Sequence, residues 1–355
     1  MKINIITIHC IPNFGSVFQT LALYKYTSML NKKINVNVID YNPNYFKPRS
    51  VRSILGMLLN IKTYINRKKK FDSFVKKHIC LTPRSYKNID ELKNEHFDAD
   101  LFISGGDQLW NVYHDCGHDD AYKLTFVNGK KISYATSLGQ CDFTQKQLED
   151  LASKISCYSH VSVRESSSVS LLSSVGIKVT HCVDPVFLLS PNDYLQYIRP
   201  VKHKQYLLVY LVTPSKLLED VITKLSAKYN LQVILCSGFS KKCTCDVFLK
   251  DLGPEEILSY IYHADMVLSS SFHATSFSMI FKKQFYTILP HPNTNERILD
   301  ILSIRGLSER VISLDSDLDI ELSKQIDYSS VSDYNDYINA SKSYLEKALD
   351  YEFAR

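Results

Sequence analysis

Short apolar runs alternate along this chain with stretches of helical spacing. Ile3–His9 is apolar enough for a buried strand, and Gly15–Leu30 follows with Val17, Leu21, Tyr24 and Leu30 at helical intervals. Val36–Asp40 is apolar again, so the opening predicts a βαβ unit. Asp98–Ser104, Lys131–Ala135, His160–Val163 and Lys178–Val183 read as further strands, with a helix over Thr144–Cys157. Such alternation predicts a parallel sheet flanked by helices.

Asp184-Pro185, Ser190-Pro191-Asn192 and Arg199-Pro200 then interrupt the pattern, and a second series begins. Tyr206–Leu211, Gln232–Cys236, Met266–Ser269 and Phe285–Leu289 read as strands; Ser215–Tyr229, Gly253–His263 and Thr275–Phe281 read as helices. The expected fold class is α/β, with two Rossmann-like domains facing across a cleft and ligands at the carboxyl ends of both strand sets. The domain boundaries expected are 1–188, 189–320 and a closing segment 321–355, whose amphipathic stretch Asp333–Phe353 is predicted to pack back as a helix.

Composition narrows the function classes. At 355 residues the chain is longer than one core commonly serves, in keeping with two domains. The net charge of +5 is mild, and no aromatic–basic alternation accompanies it. It suits anionic small substrates or a membrane surface better than nucleic acid. The nine cysteines follow no framework spacing, so reduced thiols and a cytoplasmic setting are expected. Cys243-Thr-Cys245 falls short of the four ligands of a structural zinc site, and no metal or cofactor is expected. The N-terminal apolar run is too short for a signal peptide, and no run reaches the roughly 18 residues of a spanning helix. No G-x-G and no G-x-x-x-x-G-K occurs, which argues against dinucleotide-dependent dehydrogenases and P-loop NTPases.

Chemistry-bearing residues gather at predicted strand ends. Asn13-Phe14-Gly15-Ser16 joins the first strand to its helix; Gly15 permits close backbone approach at a helix start, where an anion could bind, although a plain helix cap reads equally well. Asp107, Gln108, Trp110 and Asn111 follow Gly105-Gly106, a set of carboxylate, amides and aromatic ring suited to a sugar. The next residues, His114 to Asp120, mix hard and soft ligand types on a loop and read as solvated surface rather than a metal site. Arg164 leaves the end of an apolar strand, able to hold a carboxylate or phosphate bidentately or to pair with Glu165. Ser269-Ser270-Ser271-Phe272-His273-Ala274-Thr275 ends a buried strand and opens a helix, combining hydroxyls, helix-start N–H groups and an imidazole acid/base. Arg297 lies just past the following strand, placed to converge with His273 or to lie on a helix surface.

In order along the chain, these segments resemble the polysaccharide pyruvyl transferase family. The resemblance rests on Asn13–Gln19 with Ala22-Leu23, Val38-Ile39-Asp40-Tyr41, Ser104 through Asn111 and Ile132 through Gly139. It continues through Val161–Glu165, Val183-Asp184-Pro185, Gly253-Pro254-Glu255-Glu256 and Ser271–Thr275. It implies a glycosyltransferase-B-like fold and transfer of pyruvate from phosphoenolpyruvate onto a sugar as a ketal, with Arg164 and His273 acting on the donor. Two positions depart from the family pattern. Ala274 stands where this subgroup usually has Gly, and Ser271 stands where some members carry Arg. Arg297 is the candidate replacement for that charge.

The roles expected are therefore His273 and Asp107 as acid and base, Arg164, Arg297, Ser270, Ser271, Ala274 and Thr275 on the donor, and Asn13, Gly15, Gln108, Trp110 and Asn111 on the acceptor. The expected partners are phosphoenolpyruvate and a lipid-linked or nucleotide-linked sugar destined for a cell-surface polysaccharide such as a capsule or exopolysaccharide, with no nucleic acid. Val51–Asn60, between Arg49 and Arg52 and the run Arg67-Lys68-Lys69-Lys70, reads either as an interfacial basic segment touching a membrane or as a core helix with a solvated basic end. Two competing readings are a nucleotide-sugar-dependent glycosyltransferase of the same fold and a catalytically silent scaffold.

Overall fold

The computed structural model describes residues 1–47, 58–139, 142–236, 238, 240–289, 296–313, 316, 318, 322, 324–331 and 334–349. Most of Val51–Asn60, and the stretch just before Glu296, lie outside the described residues.

The chain divides into two compact units. One comprises Met1–Leu55, Asp72–Leu189 and Asn335–Arg355; the other comprises Gly56–Phe71 and Ser190–Tyr334. The first unit is built on β1 (Lys2–Ile6), α1 (Phe14–Met29), β2 (Asn35–Tyr41), the later part of α2 (Ile61–His78), β3 (Leu81–Tyr86), β4 (Leu101–Gly105) and β5 (Lys130–Tyr134). Its strands are all parallel, in the order β3-β2-β1-β4-β5. After α3 (Gln145–Ile155) come β6 (Val161–Val163), α4 (Ser166–Ser174) and β7 (Val179–His181). Bridges from Ile132 to His160 and from Thr136 to Val163 carry the sheet from β5 onto the β6–β7 pair.

Helix α3 shows how these helices start. Thr144 accepts from the Gln147 N–H while the Gln147 side chain returns to the Thr144 N–H, a reciprocal cap. Leu148, Leu151, Ala152 and Ile155 then turn one face inward at helical spacing. Strands β1 (after Lys2) and β4 are buried and largely apolar, as central parallel strands are, with Asn4 and Ser104 the polar exceptions.

The second unit repeats the scheme with β8 (Tyr206–Tyr210), α5 (Lys216–Tyr229), β9 (Gln232–Cys236), β10 (Val247–Leu249), α6 (Pro254–His263), β11 (Met266–Ser269), α7 (Phe272–Ile280), β12 (Gln284–Ile288), α8 (Glu296–Ile304) and β13 (Val311–Ile312). Its order is β10-β9-β8-β11-β12-β13, again all parallel. Helix α9 (Asn335–Ala348) belongs to the first unit. It is held there by Tyr344, whose hydroxyl donates to the Ser133 carbonyl at 2.9 Å, and by Ser341, whose hydroxyl accepts from the Val183 N–H at 3.0 Å.

The elements differ from the sequence expectation in instructive places. Helix α7 begins at Phe272, three residues before the expected start, because the Ser271 side chain caps it. Strand β3, which contains Pro83, has no expected counterpart; it lies at the sheet edge, where a missing N–H is tolerated. Among the described residues no helix is long and apolar enough to cross a membrane.

Candidate functional sites at the two switch points

In each sheet the order of strands reverses once, between β1 and β4 in the first unit and between β8 and β11 in the second. Open parallel sheets leave a crevice outside the carboxyl ends of the strands at such a point. The sequence-predicted site residues lie on segments that follow the ends of strands, Arg297 on the helix after β12.

In the first unit the crevice is bridged by a hydrogen bond. Ser16, at the start of α1, donates from Oγ to Asp107 Oδ2 at 2.6 Å, and Asp107 follows β4. Asp107 is held further by the Gln108 N–H at its Oδ1, 2.8 Å away. Asn13 Oδ1 accepts from the N–H groups of Gly15 (2.9 Å) and Ser16 (3.2 Å), so its side chain caps α1. The anion cradle considered at Asn13 and Gly15 is thereby filled from within the chain.

Two glycines let the Asp107 turn pack. A Cβ on Gly105 would meet the Tyr134 carbonyl oxygen at 2.6 Å. Gly106 has φ +93°, and a Cβ there would fall 1.7 Å from Gln19 Oε1.

The amides beyond Asp107 close on each other. Asn111 Nδ2 donates to Gln108 Oε1 at 2.7 Å, and Asn111 Oδ1 accepts from the Tyr113 N–H. Gln108 is half-buried and Asn111 buried. Trp110 departs from expectation. It is fully buried, its indole N–H donates to the Tyr122 carbonyl at 3.3 Å, and its ring meets Tyr158 edge-on at 6.3 Å. It fills the core and presents no aromatic wall to a sugar.

Arg164 is also corrected. Its side chain is 2% exposed and engages Asp184 Oδ2 at 2.5 Å, the Gly106 carbonyl at 3.3 Å and Glu165 Oε1 at 3.3 Å. Burial would lower its pKa, but the charges of Asp184, Glu165 and Asp107 outweigh that and raise it. A guanidinium enclosed by two carboxylates and bonded to the Gly106 carbonyl braces the Gly106–Asp107 turn rather than presenting an open cradle for an anion. Ser137, which donates to Glu165 at 2.5 Å, and Asp184 complete this network. Neither was singled out for a role from sequence, although an acid before Pro185 at a strand end was a usable signal.

The acids of the His114–Asp120 stretch are spent locally. Asp119 Oδ2 accepts from the hydroxyls of Tyr41 (2.6 Å) and Tyr45 (2.8 Å), and Asp120 pairs with Lys154 at 2.9 Å. Among the described residues no group of three or more His, Cys, Asp or Glu side chains could hold a metal.

In the second unit the serines stitch β11 to β8. Ser269 Oγ donates to the Tyr210 carbonyl at 2.8 Å, and Ser270 Oγ donates to the Leu211 carbonyl. Leu211 has φ +47°, a conformation that costs a branched residue energy and that clusters at functional sites. Ser271 caps α7 by accepting from the Ala274 N–H at 3.4 Å, so that N–H is engaged within the helix start. Thr275 likewise departs from a donor role: its hydroxyl is buried against Thr287 at 2.9 Å and ties α7 to β12.

His273 and Arg297 share a neighbour. The His273 and Phe272 rings meet edge-on at 5.1 Å, and the Arg297 guanidinium carbon lies 5.8 Å from the same Phe272 ring. His273 is 8% exposed and Arg297 is half-buried. An imidazole, a guanidinium and the partly exposed hydroxyls of Ser270 and Ser271 thus gather where β11 turns into α7. Such a set can hold a small anion and supply a proton.

No curated protein matches the sequence. Among solved structures, a UDP-GlcNAc 2-epimerase from Methanocaldococcus jannaschii is 13% identical with a TM-score of 0.57, over 99% of this chain and 100% of that one. The Neisseria meningitidis UDP-GlcNAc 2-epimerase, solved bound to UDP-GlcNAc, is 11% identical with a TM-score of 0.53, over 99% and 100%. UDP-N-acetylglucosamine 2-epimerase from Rickettsia bellii is 13% identical with a TM-score of 0.53, over 99% and 96%. At such identities the likeness shows the fold alone, an α/β glycosyltransferase-B-like fold. The sequence profile of polysaccharide pyruvyl transferases matches residues 13–292, most of the chain, and this chain therefore belongs to the polysaccharide pyruvyl transferase family.

Proposed function

We propose that this chain transfers pyruvate from phosphoenolpyruvate to two hydroxyls of a sugar in a cell-surface polysaccharide or its lipid-linked or nucleotide-linked precursor, closing a cyclic ketal. Support comes from the family membership, and on the side of geometry from His273 and Arg297 meeting on Phe272 at the second switch point.

Phosphoenolpyruvate carries about two to three negative charges, which call for guanidinium and hydroxyl or N–H donors. Arg297, Ser270 and Ser271 are assigned to the donor. His273 protonates the methylene carbon, which becomes the ketal methyl and leaves the central carbon electrophilic. A sugar hydroxyl bonds to that carbon as its proton passes to a general base. A neighbouring hydroxyl then forms the second C–O bond; the C–O bond to phosphate breaks, and phosphate leaves with the second proton. Within the first unit, Asp107 has the chemistry of a candidate base, its carboxylate fixed by Ser16 and the Gln108 N–H and its turn braced by Arg164 through the Gly106 carbonyl.

A second reading is a nucleotide-sugar-dependent glycosyltransferase, favoured by structural neighbours that bind UDP-GlcNAc. Thermal unfolding with each ligand separates the two. Stabilisation by phosphoenolpyruvate and not by UDP-GlcNAc is expected; the reverse pattern would replace the first reading with the second.

A further inference from the structure

Among the described residues eleven large apolar side chains are exposed, and four of them fall within eight consecutive positions: Leu58 (56% exposed), Leu59 (77%), Ile61 (41%) and Ile65 (41%). Single exposed apolar residues are ordinary on a protein surface, whereas a cluster calls for something that covers it. These four lie just before and within the first turns of α2, which runs from Ile61 to His78.

The helix is fixed by its other side. Lys70 Nζ donates to both carboxylate oxygens of Glu256 on α6, at 3.0 and 2.8 Å. A Cβ on Gly253, the N-cap of α6, would come within 2.8 Å of Lys70 Cβ. Phe71 is buried at the next position. At 3.6 residues per turn Lys70 lies roughly 140° around the helix from Ile65, whereas Ile61, Lys62, Ile65 and Lys69 fall within about 100° of one another. All four of these are exposed. Anchoring through Lys70 therefore turns a stripe of isoleucine and lysine outward.

Charge singles out the occupant. Between Asp40 and Asp72 the sequence holds eight Lys and Arg and no Asp or Glu. The whole chain has a net charge of only +5, so its positive excess is confined to this stretch and the remainder is net negative. A second copy of the chain would bring lysine against lysine, which disfavours self-contact through this face. Protein partners are held mainly through Trp, Tyr and Arg. The exposed residues here are aliphatic side chains and lysines, the composition with which a helix lies at the boundary of head groups and acyl chains. Lysine stems can run along that boundary while their ammonium groups meet lipid phosphates.

We propose that the face of α2 carrying Ile61, Lys62, Ile65 and Lys69, with Leu58 and Leu59 leading into it, docks on an anionic lipid bilayer. The contact is peripheral: the aliphatic side chains enter between the head groups and the lysines pair with lipid phosphates. The inference stands apart from the reaction assigned above, although it suits an acceptor carried on a lipid.

The test is co-sedimentation of the full chain with vesicles of phosphatidylcholine alone and of an equal mixture with phosphatidylglycerol. Binding to the mixed vesicles is expected, about tenfold or more stronger than to phosphatidylcholine and weakened by high salt. Lys62→Gln with Lys69→Gln, and separately Leu59→Ser with Ile65→Ser, are each expected to weaken it about tenfold. Melting temperatures near wild type are expected for both, because every substituted side chain is exposed. Absence of wild-type binding to the mixed vesicles, equal binding to the zwitterionic ones, or binding that either pair of substitutions leaves unchanged overturns the proposal. Size-exclusion chromatography covers the other occupant. A concentration-dependent dimer that Leu59→Ser with Ile65→Ser abolishes, without vesicle binding, assigns the face to a second copy and overturns the lipid reading.

Discussion

Arg164 Nη1 and Asp184 Oδ2 lie 2.5 Å apart, with side chains only 2% and 0% exposed, and Glu165 stands on the other side of the guanidinium. Removing one partner of such a pair leaves a charge stranded away from water. Asp184→Asn is expected to lower unfolding free energy by about 3 kcal/mol. Arg164→Met, which leaves the Asp184 and Glu165 carboxylates buried without their cation, is expected to lose more than Asp184→Asn, in which Arg164 keeps Glu165. Urea denaturation followed by circular dichroism checks both, and a loss below about 0.5 kcal/mol for Asp184→Asn would contradict the account of the pair.

Gly106 makes a different demand. Its φ of +93° disfavours any side chain, and Gln19 Oε1 occupies the place a Cβ would take. Gly106→Ala is expected to cost about 1–3 kcal/mol from backbone conformation, with a further steric loss. Adding Gln19→Ala is expected to recover the steric part only, which a double-mutant cycle in thermal unfolding resolves.

Acid sensitivity follows from Asp40. Burial alone would raise its pKa, but the hydrogen bond and charge of His9, 3.1 Å away, outweigh that and hold it below the usual value. A carboxyl depressed in the folded state adds stability above its free pKa and loses it as pH falls through the lower, folded value. Stability is therefore expected to drop below about pH 4. His9→Ala is expected to flatten that part of the profile, measured by urea midpoints between pH 6 and pH 3.

For His273→Ala, phosphate release from phosphoenolpyruvate is expected to fall about 10²–10⁴-fold. Binding of the donor is expected to persist, because Arg297 and the serine turn remain. Undiminished release would eliminate His273 as the acid.

The architecture was legible because buried parallel strands are continuous apolar runs and their helices carry one apolar face. Met266–Ser269 and Gln232–Cys236 coincide with strands, and the α/β class follows from their alternation with helices. Strand β3 was hidden by Pro83, whose exclusion from ladders holds for central strands but not for an edge. At the site, residue type misled wherever burial decided the outcome. Trp110, Arg164 and Thr275 have suitable chemistry, yet each is enclosed by partners on other segments that no local motif reveals: Tyr122, Asp184 and Thr287. His273 and Arg297 follow adjacent strands of one sheet, and both lie against Phe272.

The central claim is that an enol phosphate binds where β11 turns into α7. Phosphorus-31 NMR titration of phosphoenolpyruvate with the wild-type chain and with Arg297→Ala tests it without knowledge of the acceptor. A saturable shift or broadening with wild type, at least tenfold weaker with Arg297→Ala, is the predicted result. No perturbation by the wild-type chain, or perturbation indifferent to Arg297, would contradict it.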